Sequence, residues 1–204
     1  MKHDFNMKHI MSPAAHFAER YIRNLEAAAE VVRHCQQGGM NVVFTQGVFD
    51  LIHEGHAKYM DKAKELGDIL IVGVDSDELT RHRKPGVNRP VVPEDERLKM
   101  LSYLRSVDFI FLRTLPEVQA TNDIDYAIKV IKPDIFVMSQ TTKDFPAEKR
   151  SMLEEYAKQV EIFEPQAETS SSARIRFLAM DGAAELRKVL DTAVTSFFAD
   201  GPKV

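Results

Sequence analysis

The 204-residue chain is long enough for one domain with a full core and short for two. Its residues are 44% apolar and 28% charged, with 27 basic against 31 acidic side chains; the net charge of −4 gives no global field to draw in nucleic acid. No apolar run is long enough for a membrane span, residues 1–12 lack the apolar segment of a signal peptide, and the single cysteine, Cys35, excludes an internal disulfide. The expectation is a cytoplasmic protein with no membrane or nucleic-acid partner.

The chain opens on a polar tail carrying His3, His9 and His16, with nothing nearby that resembles a metal site. From Phe17 the apolar positions Tyr21, Leu25, Ala28 and Val32 recur at helical steps and predict one amphipathic helix, stopped at Gly38-Gly39. Cys35 reads as a small buried hydrophobe on that helix. Val42-Val43-Phe44 predicts a buried strand. A helix over 57–66 follows, broken at Gly67-Asp68, and then a strand over 69–74. The stretch from Asp75 to Pro93, rich in charge, Gly and Pro, reads as a loop. Next come a helix over 94–105, a strand over 107–112 and a helix over 124–131. Lys132-Pro133-Asp134 punctuates the chain before a strand over 135–138, a helix over 146–158 and a strand over 160–163. Helices are also expected over 172–179 and 183–198, the last with Leu186, Leu190, Ala193 and Phe197 on one side.

Strands separated by helices predict an α/β fold, a Rossmann-like, doubly wound parallel sheet of five strands with helices on both faces and extra N- and C-terminal helices. The layout is a tail and helix over 1–40, the main domain over 41–180, and a C-terminal helix over 181–204 that packs on the domain or forms a dimer seam. Ligands in such sheets bind beyond the carboxyl ends of the strands, where strand order reverses.

After the first strand stands Gly47-Val48-Phe49-Asp50-Leu51-Ile52-His53-Glu54-Gly55-His56. Gly47 suits a sharp exit from the strand. His53 and His56 are three residues apart at a helix start, so their rings point the same way, and Gly55 between them lets a ligand approach the backbone. The unpaired N–H groups and dipole there favour an anion. Arg81 and Arg83 read as part of a solvated charged turn, and the run Ser170-Ser171-Ser172 as a helix cap whose N–H groups also suit phosphate.

The pattern Gly-x-Phe-Asp-x-x-His-x-Gly-His resembles the signature of the cytidylyltransferase-like superfamily of nucleotidyltransferases, and the likeness runs from about Asn41 to Arg176. The resemblance implies catalytic roles for His53, His56, Lys84 and Arg97, and nucleotide contacts at Gly47, Val48, Phe49, Gly55, Ser170, Ser171 and Ser172. It implies acceptor contacts at Asp50, Asp77, Arg89, Ser139 and Gln140, with Asp50 mainly bracing the turn. The implied reaction is direct in-line attack of a substrate phosphate on the α-phosphorus of a nucleoside triphosphate, with pyrophosphate leaving. Mg²⁺ would be carried by the triphosphate, with no metal held by the protein alone. A homodimer is implied as well.

Two branches of the superfamily are similar. The leading helix, the Gly-Gly turn and Val43-Phe44-Thr45-Gln46-Gly47-Val48-Phe49-Asp50 resemble the heptose 1-phosphate adenylyltransferases of lipopolysaccharide-core synthesis. The alternative is glycerol-3-phosphate or phospho-amino-alcohol cytidylyltransfer. The segment Ser139-Gln140-Thr141-Thr142-Lys143 departs from the substrate loops of both. A non-catalytic nucleotide-binding module is opposed by the joint presence of His53, His56, Lys84 and Arg97. A tRNA-ligating enzyme is opposed by the net acidity.

Overall fold

The computed structural model describes residues 16–83, 89–116, 118, 125–139, 147–164, 166, 180–183 and 185–192. The chain forms two compact units, Met1–Ala167 and Glu168–Val204. The first holds a sheet of six parallel strands in the order β1-β4-β3-β2-β5-β6, confirming the α/β class with one strand more than expected. The strands are β1 (Tyr21–Ile22), β2 (Val42–Gly47), β3 (Ile69–Asp75), β4 (Phe109–Arg113), β5 (Ile135–Ser139) and β6 (Gln159–Phe163).

The central strands are buried on both faces, as a parallel sheet covered by helices requires. Val42 and Phe44 of β2, with Ile69 and Ile71 of β3, pack towards α2 (Leu25–Gln37) and α6 (Tyr126–Ile131). Val43, Leu70, Val72 and Val74 pack on the other face with Tyr59 and Met60 of α3 (Glu54–Lys64) and Leu98 and Leu101 of α5 (Glu94–Ser102). This two-residue alternation decides which face each residue near the carboxyl ends occupies.

From β2 the chain adds β3 and β4 on one side, then returns to place β5 and β6 on the other. The order therefore reverses at β2, and the carboxyl end of that strand leads into the two-histidine loop.

The N-terminal segment corrects the expectation of one long helix. A four-residue helix, α1 (Phe17–Arg20), gives way to β1, whose Tyr21 and Ile22 pair with Ile110 and Phe111 of β4. Asn24 then starts α2, its side chain accepting the Ala27 N–H at 3.0 Å. The helical period of Leu25, Ala28 and Val32 is real, and all three are buried; extending it back to Phe17 overlooked the Asn24 cap and the pull of an open sheet edge. Arg20, only 5% exposed, secures the segment by donating to the carbonyls of Ser102, at the end of α5, and Val107, just before β4.

A second correction concerns the stretch read as loop from Asp75. Asp77–Arg83 is a helix, α4, initiated by Ser76, whose hydroxyl accepts the Leu79 N–H, and anchored by the buried Leu79. A further helix of the first unit is α7 (Ala147–Glu154), four residues shorter at its end than expected. In the second unit residues 180–183 and 185–192 are helical, and Leu186, Val189 and Leu190 are exposed. The helix expected over 172–179, and the end of the last one from Ala193 to Phe198, lie outside the described residues. Among the described residues no helix is long and apolar enough to cross a membrane.

Candidate active site

Between the end of β2 at Gly47 and the start of α3 at Glu54 the backbone makes two left-handed bends. They fall on Phe49 (φ 52°) and Leu51 (φ 47°) rather than on Gly47, as the sequence suggested. Gly47 instead leaves room, since a Cβ there would stand 3.3 Å from the Phe49 ring. Non-glycine residues in this region cost about 1–3 kcal/mol each and persist only where their surroundings enforce them.

Two buried side chains do the enforcing. Asp50, 3% exposed, accepts the Val91 N–H at 3.0 Å and the Val92 N–H at 3.0 Å. Arg97, 1% exposed, donates to the Val48 carbonyl, to the Val92 carbonyl at 2.9 Å and to Asp77 Oδ1 at 2.7 Å. The loop is thus pinned to the segment before α5 and, through Asp77, to the start of α4.

The histidines sit where this loop enters α3. His53 is the N-cap, its Nδ1 accepting the Gly55 N–H at 3.0 Å. His56 Nδ1 accepts the His53 N–H at 3.3 Å. The ring centroids are 4.1 Å apart, and Phe49 meets His56 edge-on at 5.9 Å. Because each Nδ1 is an acceptor, a neutral ring carries its hydrogen on Nε2 and donates from that edge. The fold therefore fixes the tautomer as well as the spacing. One turn further, the Tyr59 hydroxyl donates to the Val137 carbonyl at 3.1 Å and takes the Thr45 hydroxyl at 2.7 Å, tying α3 to β2 and β5. Burial pushes the Tyr59 phenol well above its ordinary pKa, so it stays protonated and keeps both bonds.

The other expected residues have diverse surroundings. Arg89 is 8% exposed, makes no ion pair among the described residues, and has a buried Nη2 without a hydrogen-bond partner. A buried cation without a counterion is costly unless an anion arrives. Asp77 is held by Arg97, and its other oxygen lies 3.7 Å from the exposed Arg81. Arg83 is exposed, as expected of a solvated turn, but its guanidinium also pairs with the fully buried Asp75, which Arg113 Nη1 meets at 2.6 Å. Ser139 closes β5 beside Phe163. Lys84, Gln140, Ser170, Ser171 and Ser172 lie outside the described residues.

Sequence reasoning missed Asp75, Arg113 and Asp125, all of them buried. Charged residues at strand ends and before a helix were the available signal, hidden because nothing in the sequence pairs them across the sheet.

As for Mg²⁺, which triphosphate chemistry implies, among the described residues no three His, Cys, Asp or Glu side chains converge on a metal position. Asp50 and Asp77 are engaged by backbone N–H groups and arginines. This donor set suits an ion held mainly by phosphate oxygens rather than by a protein cage.

A doubly wound sheet with a histidine pair on a helix start at its switch point defines an α/β domain whose candidate site lies at the carboxyl end of β2. Residues 44–178 match the cytidylyltransferase-like family; the chain belongs to it and is a nucleotidyltransferase by class. It is 39% identical over 154 residues to the bifunctional protein HldE of Helicobacter pylori (strain HPAG1), covering 74% of this chain and 30% of that protein. With HldE of Desulfatibacillum aliphaticivorans it shares 33% over 154 residues, 76% of this chain and again 30% of the relative. The chain thus spans under a third of these curated relatives. Among solved structures, the lipopolysaccharide core biosynthesis protein from Thermoplasma volcanium GSS1 superimposes with a TM-score of 0.51. The two are 32% identical, over 61% of this chain and 98% of that one.

Proposed function

We propose that this domain transfers a nucleoside monophosphate, AMP from ATP, to a small phosphorylated sugar of the heptose 1-phosphate type. The observation that carries the reading is the pair of Nε2 donors fixed at the start of α3 by two Nδ1 acceptor bonds. Arg89, which makes no ion pair among the described residues and stands beside the Asp50-bound segment, supports it. The likeness to HldE and to a lipopolysaccharide core biosynthesis protein supports the sugar phosphate.

A substrate phosphate oxygen attacks the α-phosphorus, the bond to the α,β-bridging oxygen breaks, and pyrophosphate leaves with that electron pair. The protein supplies no nucleophile, so its contribution is positioning and charge stabilisation. His53 and His56 donate to phosphate oxygens that gain charge in the transition state. Lys84 and Arg89 balance phosphate charge. Arg97 acts as a positioning residue, because its guanidinium is engaged in holding Val48, Val92 and Asp77. Mg²⁺ carried by the triphosphate would supply further neutralisation of phosphate charge. The active species is expected to be a cytoplasmic homodimer, which gel filtration at dilute concentration checks.

The test is pyrophosphate release by the purified chain with ATP, CTP, GTP or UTP against a panel of sugar 1-phosphates, glycerol 3-phosphate and phosphoethanolamine. Turnover with ATP and a sugar 1-phosphate is the expected result. Turnover confined to CTP with glycerol 3-phosphate, or none with any pair, overturns the proposal.

A further inference from the structure

The two-residue alternation of β2 places Thr45 and Gly47 towards α3 and the histidines, and Gln46, like Phe44, on the opposite face. Gln46 therefore stands at the carboxyl end of the switch-point strand, but under the other side of the sheet. Its amide nitrogen donates to Asp125 Oδ1 at 3.4 Å, at the start of α6. Its Oε1 is buried and has no hydrogen-bond partner.

The orientation of this amide is dictated chemically. An ionised carboxylate only accepts, so the NH₂ must face Asp125, and the oxygen is turned the other way. A buried carbonyl oxygen left unpaired is costly, and a donor on a ligand would recover that cost.

The surroundings restrict what that donor is. In register beside Gln46 is Gly73 of β3. A Cβ on Gly73 would come within 2.8 Å of Arg113 Cδ, so the Arg113 side chain lies across this glycine next to Gln46. Arg113 and Arg83 both bind the buried Asp75. Two carboxylates, Asp75 and Asp125, and two guanidiniums, Arg83 and Arg113, thus share this end of the sheet face, and their formal charges cancel. A neutral donor enters such a site with little electrostatic preference or penalty, whereas an ammonium finds no net negative field.

We infer that Gln46 Oε1 accepts a hydrogen bond from a hydroxyl of the acceptor substrate and makes the domain select a polyhydroxylated phosphate over an amino-alcohol phosphate. Asp125 is the positioning residue that locks the amide. This deepens, and rests on, the reading of the acceptor as a sugar phosphate.

The test is binding rather than turnover. Thermal shifts of wild type and Gln46→Leu are measured with hexose and heptose 1-phosphates and their monodeoxy analogues, with circular dichroism checking the fold. One sugar phosphate is expected to stabilise the wild type. Its apparent affinity should fall about 10–100-fold in Gln46→Leu, the range for losing one hydrogen bond in a desolvated site. Removing one particular hydroxyl from the ligand should cost the wild type as much and cost the variant nothing further. Should the leucine variant fail to fold, Gln46→Asn, which retracts the same amide by one methylene, serves as the comparison.

Equal affinity of wild type and variant, additive losses from variant and deoxy ligand, or no stabilisation by any sugar phosphate overturns the inference. Failure of the proposed reaction is seen separately, as absent pyrophosphate release in a protein whose sugar-phosphate binding still depends on Gln46.

Discussion

In the proposed reaction His56 serves α3 and the phosphates with different ring nitrogens. Nδ1 takes the His53 N–H, which leaves the hydrogen of a neutral ring on Nε2. Replacing it with Ala should lower kcat/KM by about 10²–10⁴-fold, the loss expected for one preorganised donor. The lost cap should cost only about 0.5–2 kcal/mol. Steady-state kinetics beside a melting curve checks both, and near wild-type turnover in a folded variant would remove the assigned role. Arg89 should show the reverse balance. As a buried cation with no counterion among the described residues it strains the ligand-free fold, so Arg89→Met should raise the melting temperature while raising the KM for nucleotide or acceptor. A variant that melts lower and binds normally would show that Arg89 is structural. Cys35, by contrast, needs no function: it is 2% exposed and burial pushes its thiol up to about 11, so it stays protonated, as expected for a small core residue.

At the scale of elements, the loop from Val48 to His53 is held from outside itself. Arg97→Met should cost about 3–5 kcal/mol, because Asp77 and the Val48 carbonyl lose a buried cation together. Turnover should fall further than stability alone explains, since the bends at Phe49 and Leu51 then relax. Denaturant melts and kcat on the same preparation test this, and unchanged kcat in the folded fraction would refute the positioning role.

Asp134 does comparable work at the other end of β2, where it accepts from the Val42 N–H, Gln36 and Lys158. Burial alone would raise its carboxyl, but these donors outweigh it and hold the pKa below the ordinary value. A depressed folded-state pKa means that the stabilisation is full above the unfolded value of about 3.9 and is lost as pH falls through the folded one. Asp134→Asn should therefore be less stable at neutral pH, with the gap closing in acid. A constant gap in urea melts from neutral to acidic pH would contradict this.

The elements also show what was legible. Strands β2, β3, β4, β5 and β6 were readable as apolar runs because parallel strands are buried on both faces. The strand β1 and the split of the first helix were not, because two residues of strand are stabilised only by β4, which lies far along the chain. Helix α4 was obscured by its charges, although Ser76 and Leu79 gave a cap and an anchor.

For the molecule as a whole, the family, the parallel α/β class and the place of the site follow from one contiguous pattern after β2. A thermal-shift screen of nucleotides with Mg²⁺ should show ATP stabilising the fold by RT ln(1 + [L]/Kd), about 2.7 kcal/mol at a hundredfold excess over Kd. A larger shift with CTP would move the proposal to cytidylyltransfer.

The sequence by itself determined the alternation of strands and helices and the spacing of His53 and His56, because both depend on neighbours a few residues apart. Only the tertiary structure decided which nitrogen each histidine offers, that Phe49 and Leu51 take the strained bends, and that Arg97 is committed to Val48, Val92 and Asp77. It alone set Gln46 beside Asp125 and Arg113 across Gly73. Those outcomes depend on partners far apart in the chain, and a hydrogen bond or ion pair is decided by distance in space, which local pattern does not encode.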